Sequence, residues 1–90
     1  MKNTITDEKL DTYFDVTGRA LEKAKAAEKQ GDAHICIDMA ERYYSDAKHF
    51  RDKGDYVLAF GALNYAHGWL DCAARLGLIK VSDSTLFTVD

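Results

Sequence analysis

The most informative hydrophobic pattern lies between Gly54 and Leu76, where a turn signal precedes a segment that is apolar on nearly every side. At about 100° per residue, this segment forms a helix with one apolar ridge and two apolar flanks. The ridge consists of Ala59, Ala62, Ala66, Trp69 and Ala73, with Leu63 and Leu70 on one flank and Leu58, Tyr65 and Leu76 on the other. Such a helix must be covered on two sides. We therefore predict that it is the central helix of a packed bundle.

Two further helical patterns precede this segment. The first is expected to begin near Thr6 or Asp7, with Thr6 as the N-cap, and to run to about Gln30. The second, from Ala33 to about Lys53, repeats apolar residues at alternating steps of four and three, namely Cys36, Ala40, Tyr43, Ala47 and Phe50. Short connections make consecutive helices antiparallel.

The predicted fold is therefore all-α, a three-helix antiparallel up-and-down bundle with a short extended C-terminal tail. Its helices lie at about 7–30, 33–53 and 55–76, in a single domain that spans residues 1–90. Gly77 has the position of a left-handed residue after the third helix. The tail, residues 78–90, is rich in β-branched and aromatic residues and forms either a short hairpin or an extended strap over the bundle end. We favour the strap, because an isolated hairpin is marginally stable.

Composition and charge exclude several classes of protein. A hydrophobic fraction of 47% and a charged fraction of 30% are typical of a globular domain. The sequence contains neither a membrane-spanning run nor a signal-peptide hydrophobic region, so a cytoplasmic location without a membrane partner is expected. A net charge of -3 makes nucleic acid an unlikely partner, since phosphate binding depends on Lys and Arg contacts.

The two cysteines, Cys36 and Cys72, lie eighteen residues before and after Gly54, and therefore at one level of the predicted hairpin. This placement is compatible with a disulfide bond. The alternative is a pair of reduced, mostly buried thiols, which we favour for a cytosolic chain. Neither cysteine has the spacing of a zinc site.

Most of the chain resembles a family of small archaeal proteins catalogued as domain of unknown function 357. Three stretches carry the resemblance, YYSDAK at 43–48, GDYVLAF at 54–60 and NYAHGWLD at 64–71. The resemblance implies a three-helix up-and-down bundle. It implies no activity, because none is assigned to the family.

Two other resemblances concern shorter parts of the chain. The stretch 43–66 resembles one tetratricopeptide unit, with Gly54-Asp55-Tyr56 as its turn, and no second unit follows. The Gly-Asp-Tyr and alanine pattern also resembles the HEPN domains associated with RNA processing. Their catalytic Arg and His would correspond here to Arg42 and His49, in the middle helix rather than late in the domain.

A narrow polar strip on the third helix is the main candidate for chemistry. It consists of Asn64, His67, Asp71 and Arg75, and the apolar residues Val57 and Phe60 continue it towards the N-terminus. His67 and Asp71 are one turn apart, a spacing that chelates a metal or lets the carboxylate orient the imidazole. The alternative, which we favour, is a solvated face held by ordinary ion pairs. An apolar patch beside polar residues is also typical of a binding surface.

The middle helix offers a secondary candidate, because Arg42, Asp46 and His49 lie one turn apart along it. A carboxylate and a histidine at this spacing resemble a half-site of a di-iron bundle. A surface with ordinary ion pairs is the favoured interpretation. We therefore predict no metal site and no cofactor.

Two functions are compatible with these features. The first, which we favour, is a non-catalytic interaction or adaptor module that binds a protein partner or itself, as a homodimer. It rests on the apolar surface of the third helix and on the tail residues Leu86, Phe87 and Val89, which exceed what one small core absorbs. The second is a small enzyme or a ligand- or metal-binding protein that uses the polar strip, and the resemblance to HEPN domains adds an RNA-processing-associated helical domain as a further alternative. No phosphate loop or nucleophile motif supports catalysis, and so small a bundle has little room for an enclosed pocket.

Overall fold

The computed structural model describes residues 3–87, and it confirms the predicted all-α three-helix bundle. Helix α1 spans Asp7–Ala26, α2 spans Ala33–Asp52 and α3 spans Tyr56–Arg75. Helix α3 packs most extensively against α2 and next against α1, whereas α1 and α2 touch each other least. The third helix is thus central to the bundle, as its apolar ridge predicted.

Local hydrogen bonds define the helix ends. The hydroxyl of Thr6 accepts from Lys9 N at 3.1 Å, and Asp55 accepts in the same way from Leu58 N at 3.1 Å. Helices α2 and α3 both end in a Schellman motif, with Gly54 at φ 79° and Gly77 at φ 73°. Because glycine tolerates these left-handed angles, the chain can reverse immediately after each helix.

The first helix ends at Ala26, four residues before the predicted end at Gln30. Residues 27–30 have good helix formers, but their backbone pairs with the segment that follows α3. Gln30 N donates to Leu78 O and Lys80 N donates to Glu28 O, each at 2.9 Å. These long-range hydrogen bonds outweigh the weak local preference for helix.

The alanine ridge of α3 forms the centre of the core. Ala59, Ala66 and Ala73 are fully buried, and Ala62 is nearly so. Small side chains at this spacing let α2 approach closely, and Leu63 and Leu70 fill the space on the adjacent side of α3. Trp69 is only half-buried.

The described part of the tail, residues 78–87, is a strap, as predicted, and it contributes to the core. Ile79, Leu86 and Phe87 are buried in the same cluster as the alanines of all three helices. A turn at Asp83 positions Leu86 and Phe87, because the Asp83 carbonyl accepts from Leu86 N at 3.1 Å and from Phe87 N at 2.9 Å. The expectation that these side chains exceed the capacity of the core is therefore wrong for Leu86 and Phe87. Val89 lies outside the described residues.

The carboxylate of Asp83 ties the strap to α1. Lys23 Nζ donates to it at 2.7 Å, and Thr85 N donates at 3.0 Å. The hydrogen bond from Lys23, followed by those from Thr85, holds the pKa of Asp83 well below its usual range. The strap is thus fixed to the bundle by charge at one point and by apolar packing at others.

We expect Ala66→Leu to lower the free energy of unfolding by about 1–3 kcal/mol, because the larger side chain overpacks the contact between α3 and its neighbours. Urea denaturation measures this change. The control is Ser45→Leu at an exposed position of α2, which should change stability by no more than about 0.5 kcal/mol. If Ala66→Leu were as stable as the wild type, the alanine ridge would face solvent. That result would contradict the packing of the ridge in the core.

We also expect the Asp83 contact to persist in moderate acid. A carboxylate whose folded-state pKa is lowered stabilises the fold above its unfolded pKa of about 3.9, and this stabilisation is lost as pH falls through the folded value. An NMR titration should show the Thr85 amide unshifted down to about pH 4 and shifting only below it. Asp83→Asn should abolish this acid transition. A Thr85 amide that titrates at the ordinary aspartate pKa would contradict the contact.

Candidate functional site

The predicted polar strip of α3 lines a surface cleft between α1 and α3, which we call the α1–α3 cleft. Its volume is about 340 Å³. The lining residues are Thr12, Tyr13, Val16 and Thr17 from α1 and Asn64, His67, Gly68 and Asp71 from α3. The cleft is open to solvent, so it leaves untested the expectation that so small a bundle has little room for an enclosed pocket. Its volume is at the lower end of the range for ligand sites.

His67 connects three parts of the fold. Its Nε2 lies 2.7 Å from the carbonyl oxygen of Leu86, and its Nδ1 lies 3.2 Å from the hydroxyl of Thr17. Because a carbonyl oxygen only accepts, Nε2 carries the proton and donates to it. In the neutral imidazole Nδ1 then accepts from Thr17. The histidine thus links α3 to α1 on one side and to the strap on the other.

This bonding contradicts the solvated interpretation of the strip at its centre. The side chain of His67 is only 21% exposed and that of Asp71 only 28%, and Asp71 Oδ1 lies 3.7 Å from His67 Nε2. Both ring nitrogens of His67 already have partners, so in this arrangement neither is available as a metal ligand. Within residues 3–87, no three His, Cys, Asp or Glu side chains are grouped as a metal site requires.

The other residues of the predicted surface differ in exposure. Val57 is 70% exposed, and Asn64 and Arg75 are also exposed. Phe60, which we expected beside Val57 on the surface, is half-buried. Its ring packs against Tyr13 with 4.6 Å between the ring centroids. The α1 partner of Phe60 could not be identified from the pattern of α3 alone.

The secondary candidates Arg42, Asp46 and His49 are exposed on α2 and do not line the α1–α3 cleft. Arg42 Nε forms an exposed ion pair with Asp38 at 3.0 Å. The ring of His49 lies 6.3 Å from that of Phe50, measured between centroids. The structure therefore does not bring Arg42 and His49 to the polar strip of α3.

A second surface on α3 was not among the predicted site residues. We call it the outer seam. Its members recur at steps of three and four along the whole helix, and all are exposed: Leu58, Gly61, Tyr65, Gly68, Cys72 and Leu76. None of them is charged. An exposed heptad-like seam of this kind is typical of a helix that packs against another helix.

The outer seam alternates large side chains with small ones. Leu58 is 50% exposed, Tyr65 52% and Leu76 67%. At Gly61 and Gly68 an added Cβ would meet nothing within 4 Å, so both glycines leave open space on the surface. The seam thus presents apolar projections separated by shallow depressions.

Tyr65 at the middle of the outer seam is held in place by neighbouring rings. It packs edge-on against Tyr43 of α2, with 4.5 Å between centroids, and against Trp69, with 6.2 Å. The indole Nε1 of Trp69 is buried and has no hydrogen-bond partner within residues 3–87. Because these contacts restrict the Tyr65 side chain, little conformational entropy remains to be lost on binding.

The two cysteines have different environments. Cys36 is buried, whereas Cys72 is exposed on the outer seam, and both thiols are free. Burial raises the pKa of the Cys36 thiol, and the nearby Cys72 raises it further. The prediction that the two lie at one level of the hairpin agrees with this proximity. The prediction that both are mostly buried is wrong for Cys72.

Sequence reasoning missed the outer seam because it assigned Leu58, Tyr65 and Leu76 to a covered flank. In the structure α2 packs most extensively against α3, and α1 packs beside the polar strip of α3. Among the described residues, no further helix covers the remaining side of α3. Gly61 and Gly68 are seven residues apart and alternate with these large side chains along α3. This spacing was a signal that could have identified the outer seam.

Comparison with known proteins identifies a family. The sequence model of a family described as a protein of unknown function, DUF357, matches residues 12–79. No curated protein and no solved structure matches the chain. Among the described helices, none has the length and apolar character needed to cross a membrane.

We expect His67→Ala to lower the free energy of unfolding by about 1–3 kcal/mol, because it leaves the Leu86 carbonyl and the Thr17 hydroxyl without their partner. The strap should loosen first. Hydrogen exchange at the amides of Leu86 and Phe87 measures this loosening directly.

The control for this substitution is His34→Ala at an exposed position of α2, for which we expect a change of at most about 0.5 kcal/mol. Equal stability of the two variants, together with unchanged exchange in the strap, would show that His67 does not link the strap to the bundle.

Proposed function

The chain belongs to the DUF357 family of proteins of unknown function, and we propose that it is a non-catalytic helical interaction module. In this proposal the outer seam of α3 binds a helix of a protein partner, which is either another protein or a second copy of the chain. The strap and the α1 side of the α1–α3 cleft keep α3 in place and take no direct part in binding, whereas Gly68, which also lines the cleft, belongs to the outer seam.

The observation that carries this proposal is the continuous exposure of uncharged residues along one face of α3. Fully burying a side chain such as Leu or Val contributes about 1.5–3 kcal/mol relative to leaving it exposed. Leu58, Tyr65 and Leu76 are each about half or more exposed, so a partner helix would gain much of this free energy. Single exposed apolar residues are ordinary, but a full-length seam is typical of an interaction site.

The geometry of the seam favours a helix as the binding element. Members spaced at three and four residues accept the side chains of a facing helix between them. The two glycines let the backbones approach closely, in the same way as the alanines do on the side that faces α2. An extended peptide would not match this spacing.

A second candidate function is the binding of a small molecule in the α1–α3 cleft. The observation in its favour is a cleft of about 340 Å³ that combines the ring of Tyr13 with the polar groups of Asn64 and Asp71. NMR with a fragment library distinguishes the two candidates. Shifts grouped at Thr12, Val16 and Asn64 would support the cleft, whereas the interaction module predicts none grouped there.

Photo-crosslinking tests the proposed module. We expect a benzophenone amino acid in place of Leu76, at the exposed end of the outer seam, to form protein adducts in extracts of the native cell or with the purified chain alone. The same amino acid in place of Ser45, exposed on α2, is the matched control and should form none. Equal labelling from both positions, or none from Leu76, would contradict the proposal.

A further inference from the structure

We infer that the outer seam binds the outer seam of a second copy of this chain, with the two α3 helices antiparallel. The two-fold axis of this dimer passes between Tyr65 and Gly68, at the level of Ala66 and His67. The inference rests on the proposed function, because it names the partner of the same surface. It goes further in fixing the orientation and the register of the two helices.

The order of large and small residues along the seam carries the inference. An axis between Tyr65 and Gly68 places each Tyr65 opposite the Gly68 of the second copy, so that each large ring meets an open depression. The same axis places Gly61 opposite Cys72, which pairs two small residues. An interface of this symmetry requires a surface complementary to itself, and the seam satisfies this requirement.

Residues at the two ends of the outer seam also pair in this register. Leu58 of one copy lies opposite Leu76 of the other, within one residue, and both are at least half exposed. The seam therefore closes with an apolar pair at each end. A parallel arrangement would instead place Tyr65 against Tyr65 and glycine against glycine, leaving one collision and two gaps.

Charge is also compatible with antiparallel pairing. The seam carries no formal charge, so no like charges would be buried against each other. In this register Arg75 of one α3 lies opposite Leu58 of the other, about one helical turn from Asp55. Antiparallel helices also place the positive end of one helix dipole beside the negative end of the other.

The size of the interface sets the expected affinity. Helix α3 has 20 residues and is therefore about 30 Å long. A single helix pair of this length is at the low end of the size range for specific interfaces, below about 1,200 Å² in total. We therefore expect a reversible dimer with a dissociation constant of micromolar order. The dissociation constant is to be measured at micromolar concentrations of the chain.

Gly61→Cys tests the register directly. In the proposed dimer the introduced thiol faces Cys72 of the second copy, at two symmetric positions. Oxidised glutathione should then link the chains covalently, each bridge transferring two electrons and two protons to yield two reduced glutathione molecules. On non-reducing gels we expect most of the Gly61→Cys protein to migrate as a dimer.

Geometry and two controls establish that this bridge joins residue 61 of one chain to Cys72 of the other. Within one chain, residues 61 and 72 are roughly 16 Å apart along α3, too far for a disulfide bond. In the antiparallel dimer two Cys72 thiols are separated by a similar distance along the axis, so the wild type should not crosslink. Gly61→Cys combined with Cys72→Ala should also fail to crosslink. Crosslinking of the wild type through Cys72 would indicate a parallel pair and overturn the inference.

Gly68→Lys tests the same contact without a covalent bond. A Cβ at Gly68 meets no atom within 4 Å, so the isolated chain should fold normally. In the dimer, however, the lysine occupies the position of the partner's Tyr65. Sedimentation equilibrium should show that the dissociation constant rises by a factor of about ten or more, while circular dichroism stays unchanged. Ser45→Lys on α2 is the matched control and should leave the dissociation constant as in the wild type.

These outcomes separate the inference from the proposed function. A wild-type chain that stays monomeric up to millimolar concentration, together with Leu76 adducts to another protein, would overturn self-pairing and leave the interaction module standing. A monomer without any Leu76 adduct would overturn both. A dimer that Gly68→Lys does not weaken would show that the copies pair through another surface.

Discussion

The close approach of α2 and α3 along an alanine ridge is the contact on which the rest of the structure depends. Ala59, Ala66 and Ala73 expose no surface, and neither do the adjacent leucines of α3, Leu63 and Leu70. Two of the three apolar sides of α3 are therefore covered by other parts of the chain. Within the described residues no further helix covers the third side, the outer seam, although the ring of Tyr65 at its middle contacts Tyr43 of α2. The central position of α3 thus both holds the bundle together and leaves an apolar face exposed.

Much of the fold could be predicted from the sequence, because its signals are local. Helix periodicity, the Thr6 cap, and the glycines after α2 and α3 each act within a few residues. The end of α1 could not be predicted in this way. Residues 27–30 leave the helix because their backbone bonds to residues 78–80, which lie far away in the sequence. Nor could the pattern show that His67 bonds to Leu86 of the strap.

The candidate site was predicted in part, for a related reason. Periodicity identified Asn64, His67 and Asp71 as neighbours on α3, and they do line one cleft. It could not show that α1 and the strap cover His67, or that α2 and α1 together leave Leu58 and Tyr65 uncovered. Which faces of a helix are covered depends on how many helices surround it. A three-helix bundle has too few helices to enclose a helix that is apolar on three sides.

The central claim is that the outer seam of α3 meets the outer seam of a second copy. Isotope-filtered NMR tests it most directly, in a mixture of labelled and unlabelled chains at near-millimolar concentration. We expect intermolecular contacts between the Tyr65 ring of one chain and the Gly68 α-protons of the other, and between Leu58 and Leu76. Intermolecular contacts confined to the polar face of α2, or none at that concentration, would contradict the account.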